Sequence, residues 1–266
     1  MRKLVVSVAL LLILVVSVTP AAAIVYGGLD GKSHPNVGVA IALTSDTGGT
    51  LCSGTLIHPQ VFLTAGHCTA LWQAQIDAGE LTMEGVKVSF DANNAFDSKT
   101  MRAVKKIIPH PEFDGRSQSD THDVGLLILS KPVKGIKPAS LPGEGFLDTL
   151  AGKLKGAKFT VVGYGAGLNF PPPQFIPPDG KRHVAASEFQ TLLKAQLVLS
   201  QNKATDGAGT CQGDSGGPAF WTEGGTETLV AITSLGDPNC VATGRYYRAD
   251  IPQTLNFIKD EIAKLQ

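Results

Sequence analysis

The sequence has no excess charge of either sign and few aromatic residues. Among its 266 residues, 23 Lys and Arg balance 23 Asp and Glu, and only 6% are aromatic. The lack of a basic excess argues against a nucleic-acid-binding protein, which normally carries a positive charge. Disorder is also excluded, because 43% of the residues are hydrophobic and the formal net charge is zero.

Cysteine is scarce, and the short motifs that bind metals or dinucleotides are missing. The four cysteines contain no C-x-x-C pair and no H-E-x-x-H sequence occurs, so a zinc enzyme has no support. The glycine run at residues 163–167 fails as a dinucleotide fingerprint, since its third glycine comes one residue early. We therefore expect neither a metal nor another cofactor. No N-x-S/T sequon is present, so N-glycosylation is not expected.

No internal segment is apolar for long enough to span a membrane, and the apolar run at the N-terminus is itself short. Two basic residues precede an apolar run over residues 4–18, which ends before three alanines at residues 21–23. A membrane anchor needs about 20 apolar residues, so this pattern is typical of a cleaved secretory signal peptide. We predict that residues 1–23 are removed and that residues 24–266 form a secreted, mildly acidic domain without membrane contact. Its cysteines should pair in an oxidising environment.

Short β-rich segments separated by Gly, Pro and Asn recur along the predicted mature chain. They lie at residues 37–43, 54–65, 86–91, 103–109, 124–129, 158–162, 194–200, 228–234 and 245–250. This density of strands predicts an all-β sandwich or barrel. Only residues 252–266 show a helical period of apolar positions. Residues 165–183 contain five prolines and predict a long surface loop, either functional or a tolerated insertion.

Two local sequences carry candidate catalytic chemistry. L-T-A-G-H-C contains His67, and C-Q-G-D-S-G-G-P contains Ser215. A serine hydroxyl becomes a good nucleophile when an imidazole, itself held by a carboxylate, accepts its proton. The neighbouring glycines allow the backbone to approach a substrate, and the N–H groups of Gly213 and Ser215 have the spacing to bind an oxyanion.

The order of these residues excludes one common family and indicates another. A serine flanked by glycines fits the nucleophile elbow of α/β-hydrolases, but there the acid and the histidine follow the serine, and here the last histidine is His183. The two sequences instead resemble the histidine and serine motifs of the trypsin/chymotrypsin family of serine endopeptidases. The histidine motif has Gly66 where alanine is commoner, whereas the serine motif matches at every position.

The resemblance extends over about the whole mature chain and implies a fold and an activity. The fold is all-β and chymotrypsin-like, with two packed six-stranded antiparallel β-barrels over about residues 24–135 and 136–251 and a C-terminal α-helix over about residues 252–266. The activity is hydrolysis of protein or peptide substrates through an acyl-enzyme. The backbone N–H groups of Gly213 and Ser215 would form the oxyanion hole. We expect a monomer that needs no cofactor and has no nucleic-acid partner.

The resemblance also assigns the three catalytic side chains. His67 would be the general base, Asp123 would orient it and stabilise its charge, and Ser215 would attack the scissile carbonyl. Asp120 is the alternative acid, but Asp123 adjoins an apolar strand in which a buried, oriented carboxylate is plausible. Such a carboxylate needs hydrogen bonds. We expect His122, on the opposite side of that strand, to be a surface residue.

Similarity to the family implies two disulfides and a buried N-terminus. Cys52 would pair with Cys68, and Cys211 with Cys240. In the family a new N-terminal ammonium pairs with the aspartate that precedes the serine. We expect signal peptidase to expose Ile24, whose ammonium would pair with Asp214. Tyr26 is inserted relative to the family pattern Ile-Val-Gly-Gly, so Val25 remains an alternative N-terminus.

The family's substrate pocket maps onto two short segments of this chain. The implied substrate-binding residues are Gly209, Thr210, Ser234, Leu235 and Gly236. Trypsin-like enzymes with a preference for Lys or Arg carry an acid where Gly209 stands, so we expect a neutral, open pocket for a large apolar side chain. Arg245 would favour acidic residues if it pointed inward, but we expect it to point to solvent.

Two other functions remain as alternatives. One is a non-catalytic secreted binding protein on the same fold, although such proteins usually lose a catalytic residue and none is lost here. The other is an esterase that uses the same triad on small esters. The strand expected to pair with the substrate backbone favours peptides.

Overall fold

The computed structural model describes residues 24–44, 48–117, 119–169, 174–205 and 207–265. The predicted signal peptide, residues 1–23, lies outside the described residues, as do residues 170–173 of the proline-rich segment.

The first half of the chain forms a closed antiparallel barrel. After β1 (Gly28–Leu29), its strands are β2 (Val37–Thr44), β3 (Gly48–His58), β4 (Val61–Thr64), β5 (Val86–Ser89), β6 (Arg102–Pro109) and β7 (Gly125–Leu129). They pair in the order β2-β3-β4-β7-β6-β5. The barrel closes because β2 bonds to β3 on one side and to β5 on the other.

The second half forms another barrel of six strands. Its strands are β8 (Lys158–Gly163), β11 (His183–Leu192), β12 (Gln196–Ser200), β13 (Pro218–Glu223), β14 (Thr226–Gly236) and β15 (Thr243–Arg248), and a separate hairpin of β9 (Gly167–Asn169) and β10 (Gln174–Ile176) precedes β11. They follow the order β11-β12-β15-β14-β13-β8, and β8 closes the ring on β11. The short strand β1 adds to the outside of β11. The predicted pair of six-stranded barrels is confirmed.

The two barrels share one apolar core. Val37, Leu63 and Leu126 of the first barrel belong to the same buried cluster as Val162 and Phe220 of the second. Burial of apolar area is the dominant favourable term in such packing. The continuous cluster holds the barrels against each other, and the cleft between them has rigid walls.

The described residues include three α-helices outside the barrels: α1 (Gly66–Asp77), α2 (Phe146–Thr149) and α3 (Pro252–Ala263). The C-terminal helix was predicted, and it buries Leu255 and Ile258. The sequence did not predict α1, because it buries only scattered positions such as Cys68 and Trp72 and so lacks a clear apolar stripe. None of the helices in the described part of the chain is long and apolar enough to cross a membrane.

Several strand predictions were wrong in detail. Residues 54–65 are not one strand but parts of β3 and β4, joined by a turn at Pro59 and Gln60. Residues 165–183 are not wholly loop, because they include the hairpin of β9 and β10. β11 was missed beyond them, although its buried and exposed residues alternate over part of its length.

Both disulfides implied by the family resemblance are present. Cys52 is bonded to Cys68, and Cys211 to Cys240. The partners are 16 and 29 residues apart in sequence. Closing loops of this size stabilises a fold by about 3 kcal/mol per bridge, mainly by restricting the unfolded chain.

A buried ionic cluster, formed by Asp30, His34, Arg182 and Glu227, ties the N-terminal segment to the second barrel. Arg182 Nε donates to Asp30 Oδ2 at 2.7 Å, and His34 Nδ1 is hydrogen-bonded to Asp30 Oδ1. His34 Nε2 lies 3.2 Å from Glu227 Oε1. A buried charge of this kind is tolerated only when paired and hydrogen-bonded, so the cluster fixes the segment between β1 and β2 in one position.

Candidate active site

His67 lies at the first turn of α1, directly after β4, on the inner side of the cleft between the barrels. Gly66 brings this turn close to the segment that carries Asp123. A Cβ at residue 66 would lie 2.9 Å from the backbone nitrogen of Val124 and 3.1 Å from the Cα of Asp123. The departure from the commoner alanine therefore accompanies an unusually close approach of the histidine turn to the aspartate.

Asp123 is buried and accepts hydrogen bonds from His67 twice. The backbone N–H of His67 donates to Asp123 Oδ1 at 2.8 Å, and His67 Nδ1 lies 3.0 Å from Oδ2. Ser234 Oγ donates to the same Oδ2 at 2.5 Å. These donors hold the carboxylate in one orientation and satisfy its burial. A carboxylate on Nδ1 leaves Nε2 of His67 as the nitrogen available to a substrate or nucleophile.

Ser215 and His67 line the same cleft, which has a volume of about 270 Å³. Both residues are partly exposed there. Within the part of the chain that the structure describes, the Ser215 hydroxyl has no hydrogen-bond partner. Catalytic hydrogen bonds are often long without substrate and tighten when it binds, so this geometry is compatible with a serine–histidine pair.

The backbone next to Ser215 exposes two N–H groups. Gly213 adopts a φ of 91°, a conformation that other residues rarely adopt, and its carbonyl oxygen accepts a bond from Ser53 N at 3.1 Å. Among the described residues, none accepts a hydrogen bond from the N–H of Gly213 or Ser215. Two unbonded N–H groups beside a hydroxyl can stabilise an oxyanion if both are directed at it.

Asp214 is completely buried behind the serine turn. Its Oδ1 accepts a bond from Gly165 N at 2.8 Å, and its Oδ2 accepts one from Cys211 N at 2.9 Å. Burial raises the pKa of Asp214 to about 7, although these two bonds oppose the shift. Gly163 also approaches the carboxylate, since a Cβ there would lie 2.1 Å from Oδ1. The glycine run that the sequence left without a role thus makes room for this carboxylate.

The residues predicted to form the mature N-terminus are buried close to the serine turn. Ile24 and Val25 are fully buried. Val25 and Gly209 exchange two backbone hydrogen bonds, of 2.9 and 3.1 Å. Tyr26 has a positive φ of 59°, which turns the chain immediately after this pairing. The inserted tyrosine is therefore accommodated in the turn after Val25.

Four of the five predicted substrate-binding residues line the cleft beside Ser215: Thr210, Ser234, Leu235 and Gly236. Gly209 is not among the lining residues. The space that its side chain would occupy is filled by the buried Gln201, whose Nε2 would be 2.4 Å from a Cβ at residue 209. Gln201 Nε2 also donates to the carbonyl of Thr210 at 2.6 Å. Gln201 and the role of Ser234 on Asp123 were missed because both contacts join residues remote from the catalytic motifs.

Arg245 and Tyr246 differ sharply in where their side chains point. Arg245 is exposed, and its guanidinium donates to Gln196 Oε1 at 3.3 Å, as expected for a solvent-facing cation. Tyr246 is fully buried, and its hydroxyl lies 3.1 Å from Thr210 Oγ1. The hydroxyl directly behind Thr210 is thus neutral, whereas a carboxylate, that of Asp237, lines the cleft next to Gly236.

Asp120 and His122 lie outside the contact between His67 and Asp123. Asp120 accepts bonds from Tyr247 Oη at 2.8 Å and from the backbone N–H of His122 at 3.0 Å. The strand begins at Gly125, so His122 is not part of it. The prediction that His122 is a surface residue was wrong: its ring is largely buried and stacks on His110.

Comparisons with known proteins agree with this geometry. The family model described as Trypsin matches residues 25–258. Venom serine protease 34 of Apis mellifera is 28% identical over 192 residues, which cover 69% of this chain and 45% of the relative. The phenoloxidase-activating enzyme of Bombyx mori is 28% identical over 223 residues, covering 71% and 49%. CLIP domain-containing serine protease B15 of Anopheles gambiae is 27% identical over 203 residues, covering 71% and 55%. The chain thus spans about half the length of these curated relatives, and the match over most of its own length shows that it belongs to the trypsin family.

Proposed function

We propose that the protein is a secreted serine endopeptidase that hydrolyses peptide bonds with His67, Asp123 and Ser215. The observation that carries this proposal is the joint placement of His67, held by a buried carboxylate, and an unbonded Ser215 hydroxyl in one cleft. Three relatives from insects are named as serine proteases or as an activating enzyme, which supports a hydrolase. The signal peptide predicted over residues 1–23 supports secretion.

In the proposed mechanism, His67 Nε2 takes the proton of Ser215 as Oγ forms a bond to the scissile carbonyl carbon. The carbonyl oxygen becomes an oxyanion and accepts bonds from the N–H groups of Gly213 and Ser215. His67 then gives its proton to the leaving amine as the peptide C–N bond breaks. Water, deprotonated by the same imidazole, hydrolyses the acyl-enzyme and restores Ser215. Asp123 stays ionised and stabilises the imidazolium.

We infer that Ile24 is the mature N-terminus and that its ammonium pairs with Asp214. Asp214 is buried with only two backbone donors, so a cation beside it would offset the cost of its charge. Val25 uses both its N–H and its carbonyl to pair with Gly209, which favours a chain end one residue earlier. N-terminal sequencing of the secreted protein tests this inference. Full activity with any other first residue would contradict it.

We further propose a preference for large apolar side chains before the scissile bond. Thr210 and Gly236 line the pocket, and Tyr246 closes it behind Thr210. Asp237 also lines the cleft, but backbone N–H groups of residues 239 and 241–243 donate to its carboxylate, which favours a role in holding that loop. Profiling of cleavage sites with a peptide library measures this preference. Strong cleavage after Lys or Arg would contradict a neutral pocket.

Two measurements separate the endopeptidase from the alternatives. An active-site fluorophosphonate should label the wild-type protein and not Ser215→Ala, whereas a non-catalytic binding protein would remain unlabelled in both forms. Wild type should then hydrolyse a denatured protein substrate, and Ser215→Ala should not. Labelling and ester hydrolysis without cleavage of any protein would favour an esterase.

A further inference from the structure

A group of potential metal ligands lies beside the segment that carries Asp123, outside the candidate active site. His110 follows β6, His122 precedes β7, and Glu112 lies between them in sequence. One ligand atom from each of these three residues lies within 4.8 Å of the others. Two imidazoles and a carboxylate are a set of ligands that zinc accepts in proteins, with a fourth position left to water.

His122 has an unused ring nitrogen within this group. Its Nδ1 is buried and has no hydrogen-bond partner among the described residues. It lies 4.0 Å from Glu112 Oε2 and 4.0 Å from Asp120 Oδ1. A buried polar atom without a partner is costly, and an ion about 2 Å from both the nitrogen and a carboxylate oxygen would satisfy it. Ligand atoms of a tetrahedral ion with bonds of about 2 Å lie about 3.3 Å apart, so the exposed Glu112 side chain would have to move inward by less than about 1 Å to complete the site.

The histidine rings are already assembled, although not yet in a ligating orientation. His110 and His122 stack with ring centroids 4.8 Å apart, and His110 also packs on Phe257. Stacked rings direct their lone pairs side by side, so one ring must rotate before both can bind the same ion. His110 is buried and packed on both sides, and its Nδ1 accepts a 3.1 Å bond from the backbone N–H of Glu112, which an ion bound at that nitrogen would replace. The Glu112 side chain is exposed and free to approach. The movement therefore falls to His122 and Glu112.

We propose that His110, Glu112 and His122 form a binding site for a divalent transition-metal ion such as Zn²⁺, and that the bound ion slows catalysis. The second part rests on the proposed function. His122 immediately precedes Asp123, and its carbonyl accepts a 2.7 Å bond from Val124 N, so these three residues form one tight turn. His122 also has a positive φ of 47°. We expect an ion that draws the His122 side chain toward Glu112 to strain this turn, which positions Asp123 against His67.

Zn²⁺ titration of the Ser215→Ala protein by calorimetry tests the site without requiring activity. We expect one ion per chain, and an affinity at least about tenfold lower in His122→Asn and Glu112→Gln. Asparagine tolerates the left-handed backbone at residue 122, and Glu112 is exposed, so both variants should fold. The control is His58→Gln, which changes a histidine on β3 outside the group. This variant should bind Zn²⁺ with the same affinity as the Ser215→Ala protein. Absence of binding, unchanged affinity in both variants, or loss of binding only in His67→Ala would overturn the site.

Zn²⁺ inhibition of peptide hydrolysis tests the coupling to Asp123. Wild type should lose activity as Zn²⁺ saturates the site, while Glu112→Gln should keep the same metal-free activity and need at least about tenfold more Zn²⁺. Equal inhibition of the two proteins, or calorimetric binding without inhibition, would overturn the coupling. A protein with no peptidase activity at all would refute the proposed function and leave the calorimetric result to decide the site.

Discussion

Within the residues that the structure describes, the same histidine–aspartate arrangement occurs twice, once in the cleft and once in the buried ionic cluster. In each case the aspartate accepts the backbone N–H of the histidine, at 2.8 Å for His67 on Asp123 and at 3.1 Å for His34 on Asp30. In each case it is also bonded to the Nδ1 of that histidine. A third donor completes each site: Ser234 on Asp123 and Arg182 on Asp30.

The two pairs differ in what meets the other ring nitrogen. The His67 side chain is 36% exposed in a cleft that also contains Ser215, whereas the His34 side chain is 9% exposed and its Nε2 faces Glu227. A second carboxylate stabilises an imidazolium, but it provides neither a nucleophile nor room for a substrate. The histidine–aspartate pair is thus a structural unit, and what distinguishes His67 is that its exposed side chain shares a cleft with a hydroxyl group, as the proposed catalytic role requires.

The largest contrast should come from removing each imidazole. We expect His67→Ala to lower kcat by about 10⁶-fold with little change in the free energy of unfolding, because Ser215 loses its base. His34→Gln should do the reverse, lowering the free energy of unfolding by about 1–3 kcal/mol and leaving kcat within a few-fold. Peptide hydrolysis and denaturant unfolding measure the two effects. Loss of kcat in a folded His34→Gln protein would break the distinction.

Neutralising each aspartate should give the next contrast. Asp123→Asn is expected to lower kcat by about 10⁴-fold, since an amide does not hold the required tautomer of His67. Asp30→Asn removes the partner of the buried Arg182 guanidinium, and breaking such a pair costs about 3–5 kcal/mol of stability. The same two assays apply. Similar losses of stability in both variants would mean that Asp123 is as structural as Asp30.

A third buried aspartate, Asp214, extends the comparison to a carboxylate without a cation. In the chain that continues before Ile24, burial raises the pKa of Asp214 from 3.8 to about 7, so the folded state keeps a proton that the unfolded state releases. The free energy of unfolding should therefore fall by about 4 kcal/mol from this group as pH rises from 4 to 7. A protein that begins at Ile24 should lack this fall, because its ammonium stabilises the ionised form.

Denaturant unfolding of two Ser215→Ala proteins, one starting at Ile24 and one extended by residues 21–23, isolates this contribution at each pH. Other titrating groups are shared by the two proteins and cancel in the difference. Identical pH profiles would contradict pairing between Ile24 and Asp214.

The smallest contrast concerns Glu227. Burial opposes protonation of His34, but the hydrogen bond to Asp30 and the charges of Asp30 and Glu227 outweigh it and raise the His34 pKa above 6.5. Stability from this raised pKa is fully present below pH 6.5 and is lost as pH rises through the folded value. Glu227→Gln should thus cost about 0.2–1 kcal/mol at pH 6 and nothing well above that window. Denaturant unfolding at several pH values measures this difference. A loss of unfolding free energy that does not change with pH would show that the charge of Glu227 does not stabilise the protonated His34.

The extent to which the sequence predicted the fold follows from how local each signal is. Strands such as β2 and β7 are short apolar runs, so their composition alone identifies them. Helix α1 was missed because its position depends on the Cys52–Cys68 bridge and on burial of Trp72. The hairpin of β9 and β10 depends on backbone pairing within a proline-rich segment. Apolar and polar residues do not alternate clearly there, so the sequence does not predict the two strands.

The candidate site shows the same contrast between local sequence signals and long-range contacts. Sequence motifs predicted His67, Asp123 and Ser215 as catalytic residues, because that chemistry requires fixed neighbours in sequence, and the structure places His67 against Asp123 and in one cleft with Ser215. The bond from Ser234 to Asp123 joins residues that are 111 positions apart in sequence. The Gln201 side chain fills the space that a side chain at Gly209 would occupy. Such partners become visible only when the barrels are assembled.

The glycines around Asp214 have a consequence for how this protein can vary. Gly163 and Gly165 have no space for even one methyl group, since a Cβ there would lie 2.1 Å or 2.6 Å from atoms of the Asp214 carboxyl group. The carboxylate therefore fits only because residues 163 and 165 have no side chain. Neither glycine touches a substrate, yet both should tolerate fewer replacements than exposed positions near the cleft. Steric limits on the sequence thus extend behind Ser215, to glycines that do not line the cleft.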